Sequence, residues 1–324
     1  MTPTGPAAKR RATGAPSWSG LLPVDKPAGP TSHDVVARAR RRLSERGIGH
    51  LGTLDPGASG LLVLVIGAAT RCASVWQAGR KTYAGSARFG ITTDTQDTSG
   101  AVLTRSDARP DEAAVRAAAR ALTGALTQLP PMVSALKQGG ERLYAIARRG
   151  ETVEREPRAI EVHGWRWLHF GADEATFEVD CSGGTYVRTL VHDLGAGLGC
   201  GAALGSLRRL KSEPFTVEHA CPWDVLERAS AAHVLESYGV PLDRALETLP
   251  AVVLDAAAAE AVGRGQGPRV EPGPAPIGAG PRSVVLREAS GRALGLGQLV
   301  REGDGVHARP TVVFPWAVRE GSRP

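Results

Sequence analysis

The sequence has few cysteines and no long hydrophobic run, and each shortage excludes a class of protein. Its four cysteines are Cys72, Cys181, Cys200 and Cys221, and no two of them form a C-x-x-C pair. This usage favours reduced, buried thiols over a disulfide framework. The longest apolar run, residues 61–66, is far short of the roughly 20 residues that cross a bilayer. We therefore expect a cytosolic protein without a membrane segment.

Motifs of common cofactor and metal sites are also missing. No Gly-Lys dipeptide occurs, which excludes a P-loop, and the eight histidines include no H-E-x-x-H motif and no cluster with cysteine. Residues 57–60 lack the spacing of the G-x-S-x-G elbow of α/β-hydrolases. A degenerate G-x-G-x-x-A at residues 197–202 follows a helical pattern rather than a strand, which argues against dinucleotide binding.

Lysine is rare as well. The chain has 39 basic and 33 acidic residues, a formal net charge of +6, but only five of the basic residues are lysines. The other 34 are arginines, which fits the coding bias of a GC-rich genome, so the positive charge is only a weak sign of a polyanionic partner. The lysines are more informative because they are few. They are Lys9, Lys26, Lys81, Lys137 and Lys211.

The 324 residues divide by composition into an arm and two domains. Residues 1–18 are rich in proline, glycine and alanine and lack an apolar h-region, which predicts a disordered basic arm rather than a signal peptide. Residues 19–250 mix strand and helix patterns without regular alternation, which predicts an α/β or α+β fold with a mixed sheet. Residues 251–324 predict a small β-rich domain. Its predicted strands are residues 283–286, 294–300 and 311–314.

Several elements of the larger domain can be placed from local patterns. Residues 21–24 predict a short strand, and Thr31 caps a predicted helix that ends at Gly47. The unbroken apolar run at residues 61–66 predicts a strand buried on both faces, and alternation predicts a half-buried strand over residues 175–181. Further helices are predicted from residue 110 to the proline pair at 130–131, over residues 143–149 and over residues 190–198. Residues 263–282 show no periodicity.

Two polar segments are candidates for a functional site. Residues 49–60 contain four glycines, one proline and one acidic residue, Asp55. Glycines let a ligand approach the backbone closely, although an Asp-Pro turn alone also explains the segment. At residues 181–188 a predicted strand runs into a glycine pair and then reaches Arg188. An arginine facing a buried aspartate favours the ionised carboxylate, but Arg188 is equally one surface arginine among 34.

These segments together resemble the TruB family of bacterial tRNA pseudouridine-55 synthases. The block at residues 49–60 is highly specific, and the other blocks follow in family order. Beyond residue 250 the sequence is similar only to a PUA-like domain. The matching stretches are residues 22–32, 49–60, 81–83, 89–90, 93–95, 97, 128–137, 143–144 and 181–190.

The resemblance implies a pseudouridine synthase domain with a mixed, mainly antiparallel sheet flanked by helices, followed by a PUA-like RNA-binding domain. It implies an isomerase that flips uridine 55 out of the T loop of tRNA and converts it to pseudouridine. It implies no metal and no small-molecule cofactor. We expect a monomer whose partner is the T arm of tRNA.

The resemblance also implies roles for individual residues. Asp55 matches the catalytic aspartate, which acts as nucleophile or in an equivalent addition, and Arg188 matches the arginine that pairs with it. Tyr83 matches the aromatic residue that stacks on uracil, and His50 matches a histidine that takes up the space of the extruded base. We also place Lys26 and Leu207 at the substrate.

Other interpretations of these residues stay open on sequence alone. Tyr83 also suits a strand core, His50 a turn cap, and Leu207 either a pocket wall or the core. Lys26 suits either a phosphate contact or backbone packing. For the whole chain, the alternatives are an RNA-binding or tRNA-folding module without catalysis, and a pseudouridine synthase that acts on another RNA.

Overall fold

The computed structural model describes residues 18–132, 137–138, 141–142, 149, 151, 153–271 and 283–318. The predicted basic arm up to residue 17, most of the helix predicted over residues 143–149, and residues 272–282 lie outside the described residues.

Strands dominate the described chain. They are β1 (Gly20–Lys26), β2 (Ile48–Leu51), β3 (Ser59–Ile66), β4 (Lys81–Phe89), β5 (Ile91–Thr93), β6 (Val102–Arg105), β7 (Gly124–Gln128), β8 (Lys137–Gln138), β9 (Glu141–Arg142), β10 (Arg158–Phe170), β11 (Glu174–Cys181), β12 (Ala202–Ser212), β13 (Phe215–Thr216), β14 (Val240–Pro241), β15 (Ala251–Leu254), β16 (Ser283–Glu288), β17 (Ala293–Glu302) and β18 (Gly305–Val313). The α-helices are α1 (Ser32–Arg42), α2 (Ala73–Gln77), α3 (Glu112–Ala121), α4 (Val187–Gly197), α5 (Trp223–Arg228), α6 (Ala231–Tyr238), α7 (Leu242–Ala245) and α8 (Ala256–Gly263).

A large mixed sheet forms the body of the protein. Its strands lie in the order β14-β1-β3-β12-β4-β11-β10-β7, with β2 added beside β3 and β13 beside β12. Its strand pairs are antiparallel except for the parallel pair of β3 and β12. Helices pack on this sheet, so the predicted mixed, mainly antiparallel architecture is confirmed.

The strand β3 lies between two hydrophobic cores, as its unbroken apolar run predicted. Leu62, Leu64 and Ile66 belong to the core under α1 and α4. The alternate residues of β3 face a second core, because successive side chains of a strand point to opposite faces. The half-buried strand predicted over residues 175–181 is also confirmed, since every second residue of β11 is buried.

A separate C-terminal sheet has the strand order β15-β16-β17-β18, which confirms the predicted β-rich C-terminal part. Val285, Leu296 and Phe314 of this part pack into the same core as Leu61 and Val63 of β3. Through this shared core, the C-terminal sheet packs against one face of β3, the strand that follows residues 52–58.

Two predicted helix ends were wrong, and some elements were missed. Helix α1 begins after the Thr31 cap as expected but ends at Arg42 rather than Gly47, and Ser44 then adopts a left-handed φ of 52°. Helix α3 ends at Ala121, well before the proline pair, because Gly124 (φ 96°) redirects the chain into β7. Helix α8 was not predicted. In each case pairing or packing with distant strands outweighs weak local propensity.

Candidate active site

The loop of residues 52–58 connects β2 to β3 and carries Asp55. Its backbone is held by two buried side chains from β1 and α1. The Ser32 hydroxyl accepts a hydrogen bond from the Leu54 amide at 2.9 Å and donates one to the Leu54 carbonyl at 3.0 Å. The Lys26 ammonium donates to the Ala58 carbonyl at 2.7 Å. The loop is therefore held on both sides of Asp55, at Leu54 before it and at Ala58 after it.

A close approach between β3 and β12 requires a glycine at the end of this loop. Gly60 has φ 97°, and a Cβ there would lie 2.3 Å from the Arg209 carbonyl oxygen. The Arg209 side chain is also buried, and it donates to the Leu61 carbonyl at 2.6 Å and to the Gly52 carbonyl at 3.1 Å. Arg209 thus ties β12 to both ends of the Asp55 loop.

A cavity of about 300 Å³ opens beside Asp55, and we call it the Asp55 pocket. Its volume lies at the lower end of the range for small-molecule sites, which suits a single base. Four predicted site residues, Asp55, Tyr83, Arg188 and Leu207, line it together. The full lining is Gly52, Thr53, Leu54, Asp55, Lys81, Tyr83, Arg158, Gly184, Thr185, Tyr186, Val187, Arg188, Leu204, Leu207 and Arg209.

Asp55 and Arg188 form an ion pair in this pocket. The Arg188 Nη2 lies 3.6 Å from the Asp55 Oδ2, and the arginine is 4% exposed whereas the Asp55 side chain is 44% exposed. Although the carboxylate faces the open pocket, the protein atoms around it raise its pKa above the usual range through desolvation. The Arg188 charge acts in the opposite direction and favours the carboxylate form.

Tyr83 fits both interpretations that the sequence left open, as a residue of the core and as a residue of the pocket. Its side chain is 7% exposed and belongs to the main hydrophobic core, yet it also lines the Asp55 pocket. Burial raises the pKa of the phenol, and the neighbouring Arg209 charge opposes that shift. The phenol is therefore neutral near pH 7 and presents an apolar ring to the cavity.

Lys26 and His50 do not line the pocket with the other predicted residues. Lys26 is fully buried and donates to the carbonyls of Pro27 and Ala58, so its observed contacts are those of backbone packing rather than of a phosphate site. Burial lowers its pKa to about 8. His50 lies on β2 opposite Leu64, not in the loop where the sequence placed it, and its ring meets that of His33 edge-on at 6.0 Å.

Sequence reasoning did not assign Lys81, Tyr186 or Arg209 to the pocket. Arg209 had no local signal, because it is one arginine among 34, whereas Tyr186 lies after a glycine pair in a matched block. Lys81 is a rare lysine inside a matched block, which suggested a phosphate contact or backbone packing. Its ammonium donates to the Gln77 and Gly79 carbonyls at 2.9 and 2.8 Å, and burial lowers its pKa to about 8.

The pocket offers a carboxylate, a neutral aromatic ring and several cations. Among the residues that the structure describes, no three His, Cys, Asp or Glu side chains lie close enough together to hold a metal ion. Within the same residues, no helix is long and apolar enough to cross a membrane. The arrangement suits acid–base or nucleophilic chemistry by Asp55 on a ring that stacks against Tyr83.

Comparison with known proteins assigns the chain to a family. Residues 40–187 match the TruB family pseudouridylate synthase N-terminal domain, and residues 188–252 match the tRNA pseudouridylate synthase B C-terminal domain. A tRNA pseudouridine synthase B of Burkholderia mallei is 42% identical over 299 residues, covering 92% of this chain and 98% of the relative. The chain belongs to the TruB family of pseudouridylate synthases. The resemblance and the predicted enzyme class, an isomerase, are thereby confirmed.

Other TruB-family relatives and structures are consistent with this assignment. The tRNA pseudouridine synthase B of Geobacter sulfurreducens is 44% identical over 274 residues, covering 83% of this chain and 90% of the relative. The crystal structure of a Cbf5-Nop10-Gar1 complex matches with a TM-score of 0.70 at 25% identity, covering 93% of this chain and 87% of that one. An archaeal box H/ACA sRNP Nop10-Cbf5 complex shares the fold, with a TM-score of 0.69 at 23% identity over 93% and 89% of the chains.

Proposed function

We propose that this TruB-family enzyme converts uridine 55 in the T loop of tRNA to pseudouridine, with Asp55 as the nucleophile. The observation that carries the proposal is the Asp55–Arg188 ion pair at the wall of a pocket that also holds Tyr83. The curated relatives are named tRNA pseudouridine synthases, which supports tRNA as the substrate class. The position within tRNA rests on the resemblance of the loop at residues 49–60.

Tyr83 and Asp55 line the same cavity, and the tyrosine is buried whereas the Asp55 side chain is 44% exposed. We propose that a flipped uracil stacks on Tyr83 with its ribose beside Asp55. Stacking on an aromatic ring contributes roughly 1–3 kcal/mol per base and offsets part of the cost of unstacking the uridine.

The proposed reaction begins at the ribose. An oxygen of Asp55 forms a bond to C1′ while the bond from C1′ to N1 of uracil breaks, and its electron pair stays on the base. The base turns in the pocket, C5 forms a bond to C1′, and Asp55 is released as a carboxylate. The C5 proton is then lost and N1 gains one, so that no atom is added or removed overall. Arg188 keeps Asp55 ionised for the attack.

Further features of the enzyme follow as parts of the same proposal. We propose that the enzyme acts as a monomer, in the cytoplasm where tRNA is found. We propose that residues 19–250 form the catalytic domain and that residues 251–324 form a PUA-like RNA-binding domain. We also keep the role of His50, which lies on the strand leading into the Asp55 loop, in filling the space of the extruded base.

One experiment tests substrate, position and cofactor independence together. An unmodified tRNA transcript is incubated with the purified chain in the presence of a chelator, and pseudouridine is mapped by a mass tag. We expect modification at position 55 and none in a transcript with cytidine there. Modification at another position or only in another RNA would contradict the T-loop assignment, and no modification at all would favour a binding module.

A further inference from the structure

Two buried cations, Lys81 of β4 and Arg209 of β12, lie together at the wall of the Asp55 pocket. Lys81 is 4% exposed and Arg209 is 1% exposed. Lys81 donates to the Gln77 and Gly79 carbonyls, whereas Arg209 donates to the Leu61 and Gly52 carbonyls and also forms a side-chain hydrogen bond with Tyr83. Within the described residues neither forms an ion pair with a carboxylate. Burying a cation without an ion-pair partner is unfavourable, so the protein keeps two buried cations in the wall of the cavity.

Gly52 shows how close these two cations are to each other. A Cβ on Gly52, whose φ is 70°, would lie 3.4 Å from the Arg209 Nη1 and 3.7 Å from the Lys81 Cε. The two side chains therefore flank the same glycine at the start of the Asp55 loop.

Tyr83 lines the same pocket as these cations and Asp55. The phenol is within electrostatic reach of both Arg209 and Asp55. The charged groups that act on Asp55 are Arg188, Asp97 and Lys26, whereas Arg209 and Glu213 act on Lys81. Lys81 and Arg209 are therefore cations of the pocket in addition to the Arg188 that pairs with Asp55.

We propose that Lys81 and Arg209 are further catalytic residues, which stabilise the negative charge that the uracil ring carries after its bond to ribose breaks. The inference rests on the proposed function. When the bond from C1′ to N1 breaks, the electron pair spreads from N1 to the O2 and O4 oxygens. Lys81 and Arg209 line the same cavity of about 300 Å³ as Tyr83 and Asp55, so a uracil ring that stacks on Tyr83 lies close to both cations. Fixed cations in a desolvated site act strongly on charge that develops in the reaction.

The alternative is that both cations only hold the backbone through their bonds to carbonyls. The Lys81→Met variant separates the two roles, because methionine matches the length of the lysine stem and tolerates burial. We expect single-turnover pseudouridine formation to fall about a hundredfold, with tRNA affinity close to that of the parent protein. The control is Lys211→Met, since the Lys211 side chain is 42% exposed and pairs with Glu213.

A fluorinated substrate separates a catalytic role of Lys81 from a structural one. If Lys81 were only structural, its replacement would slow both substrates equally. Fluorine at C5 withdraws electrons, so 5-fluorouracil is a better leaving anion than uracil. At pH 7 we expect Lys81→Met to slow consumption of 5-fluorouridine tRNA much less than consumption of uridine tRNA. An equal loss for both substrates would overturn the proposal, as would a Lys81→Met enzyme that is as fast as the Lys211→Met control.

If Lys81→Met does not fold, the pH dependence of the rate of the parent protein still tests the role of Lys81. Burial and the Arg209 charge lower the pKa of Lys81 from 10.5 to about 8, so its ammonium is lost as the pH rises through 8. Lys26 titrates in the same range, whereas burial raises the pKa of the adjacent Cys181 thiol to about 11. We expect the rate to fall between pH 7 and 9, and Lys81→Arg, which keeps its charge there, to lessen that fall.

The outcomes also separate this inference from the proposed function. A flat profile between pH 7 and 9, or a fall that Lys81→Arg leaves unchanged, would overturn the role of Lys81 while the enzyme still forms pseudouridine. Failure of the parent protein to form pseudouridine in any RNA would instead overturn the proposed function.

Discussion

The Arg188 guanidinium lies 3.6 Å from the Asp55 carboxylate, and the cation is the buried partner of the pair. Arg188 is held among the packed residues of helix α4, while Asp55 stands on a loop and faces the pocket. This asymmetry leaves the carboxylate accessible to a ligand and keeps the arginine in place behind it. An acid that must react in its ionised form needs such an arrangement, because desolvation alone raises its pKa.

Replacing Asp55 with Asn is expected to abolish pseudouridine formation, with a loss of about a thousandfold or more. The amide has nearly the same shape but cannot attack C1′ as a carboxylate does. Binding of the tRNA should persist, because the remaining pocket is unchanged. Single-turnover formation of pseudouridine and a filter-binding titration measure the two properties separately. Full turnover by Asp55→Asn would show that another group is the nucleophile.

Replacing Arg188 with Gln is expected to move the acidic limb of the pH–rate profile. Arg188 lowers the pKa of Asp55 against the effect of desolvation, so its removal raises that pKa further. Activity requires the carboxylate, which is lost as the pH falls through the pKa. The limb should therefore shift to higher pH. Rates from pH 4.5 to 7.5 measure it, with Arg188→Lys as the control that keeps the charge, and an unshifted limb would contradict the pairing.

Replacing Ser32 with Ala is expected to loosen the Asp55 loop. The hydroxyl satisfies both the amide and the carbonyl of Leu54 in a buried position, so its loss lowers the free energy of unfolding by about 1–3 kcal/mol. Turnover should fall more than tRNA affinity, because Asp55 directly follows Leu54 in the chain and loses its fixed position. Urea unfolding and kcat measure these effects. Ser74→Ala, at an exposed position of α2, is the control, and equal stability of the two variants would contradict the anchor.

Replacing Gly60 with Ala is expected to destabilise the junction of β3 and β12. The new methyl group would lie 2.3 Å from the Arg209 carbonyl oxygen, and the left-handed φ of 97° adds strain. The free energy of unfolding should fall by about 1–3 kcal/mol. Gly57→Ala is the matched control in the same loop, because a Cβ there meets no atom within 4 Å. Thermal and urea unfolding compare the two, and a Gly60→Ala protein as stable as the control would contradict the close approach.

Local patterns were enough to place some strands of the large sheet, but not its central strands β4 and β12. The apolar run of β3 and the alternation of β11 report burial on two faces and on one face, and both predictions were confirmed. The predicted ends of α1 and α3 were wrong because neither end is determined by the sequence of the helix itself. One depends on Ser44 entering a left-handed turn before β2, and the other on β7 pairing with β10.

The sequence by itself determined that a glycine-rich loop presents a single carboxylate, Asp55, next to a buried strand. The matched blocks added Tyr83 and Arg188. The tertiary structure alone decided that Lys81 and Arg209 are buried beside that carboxylate and that Lys26 supports the loop from behind. A buried cation has the same local sequence signal as an exposed one. Its burial depends on strands far apart in the chain, which meet only when the sheet forms.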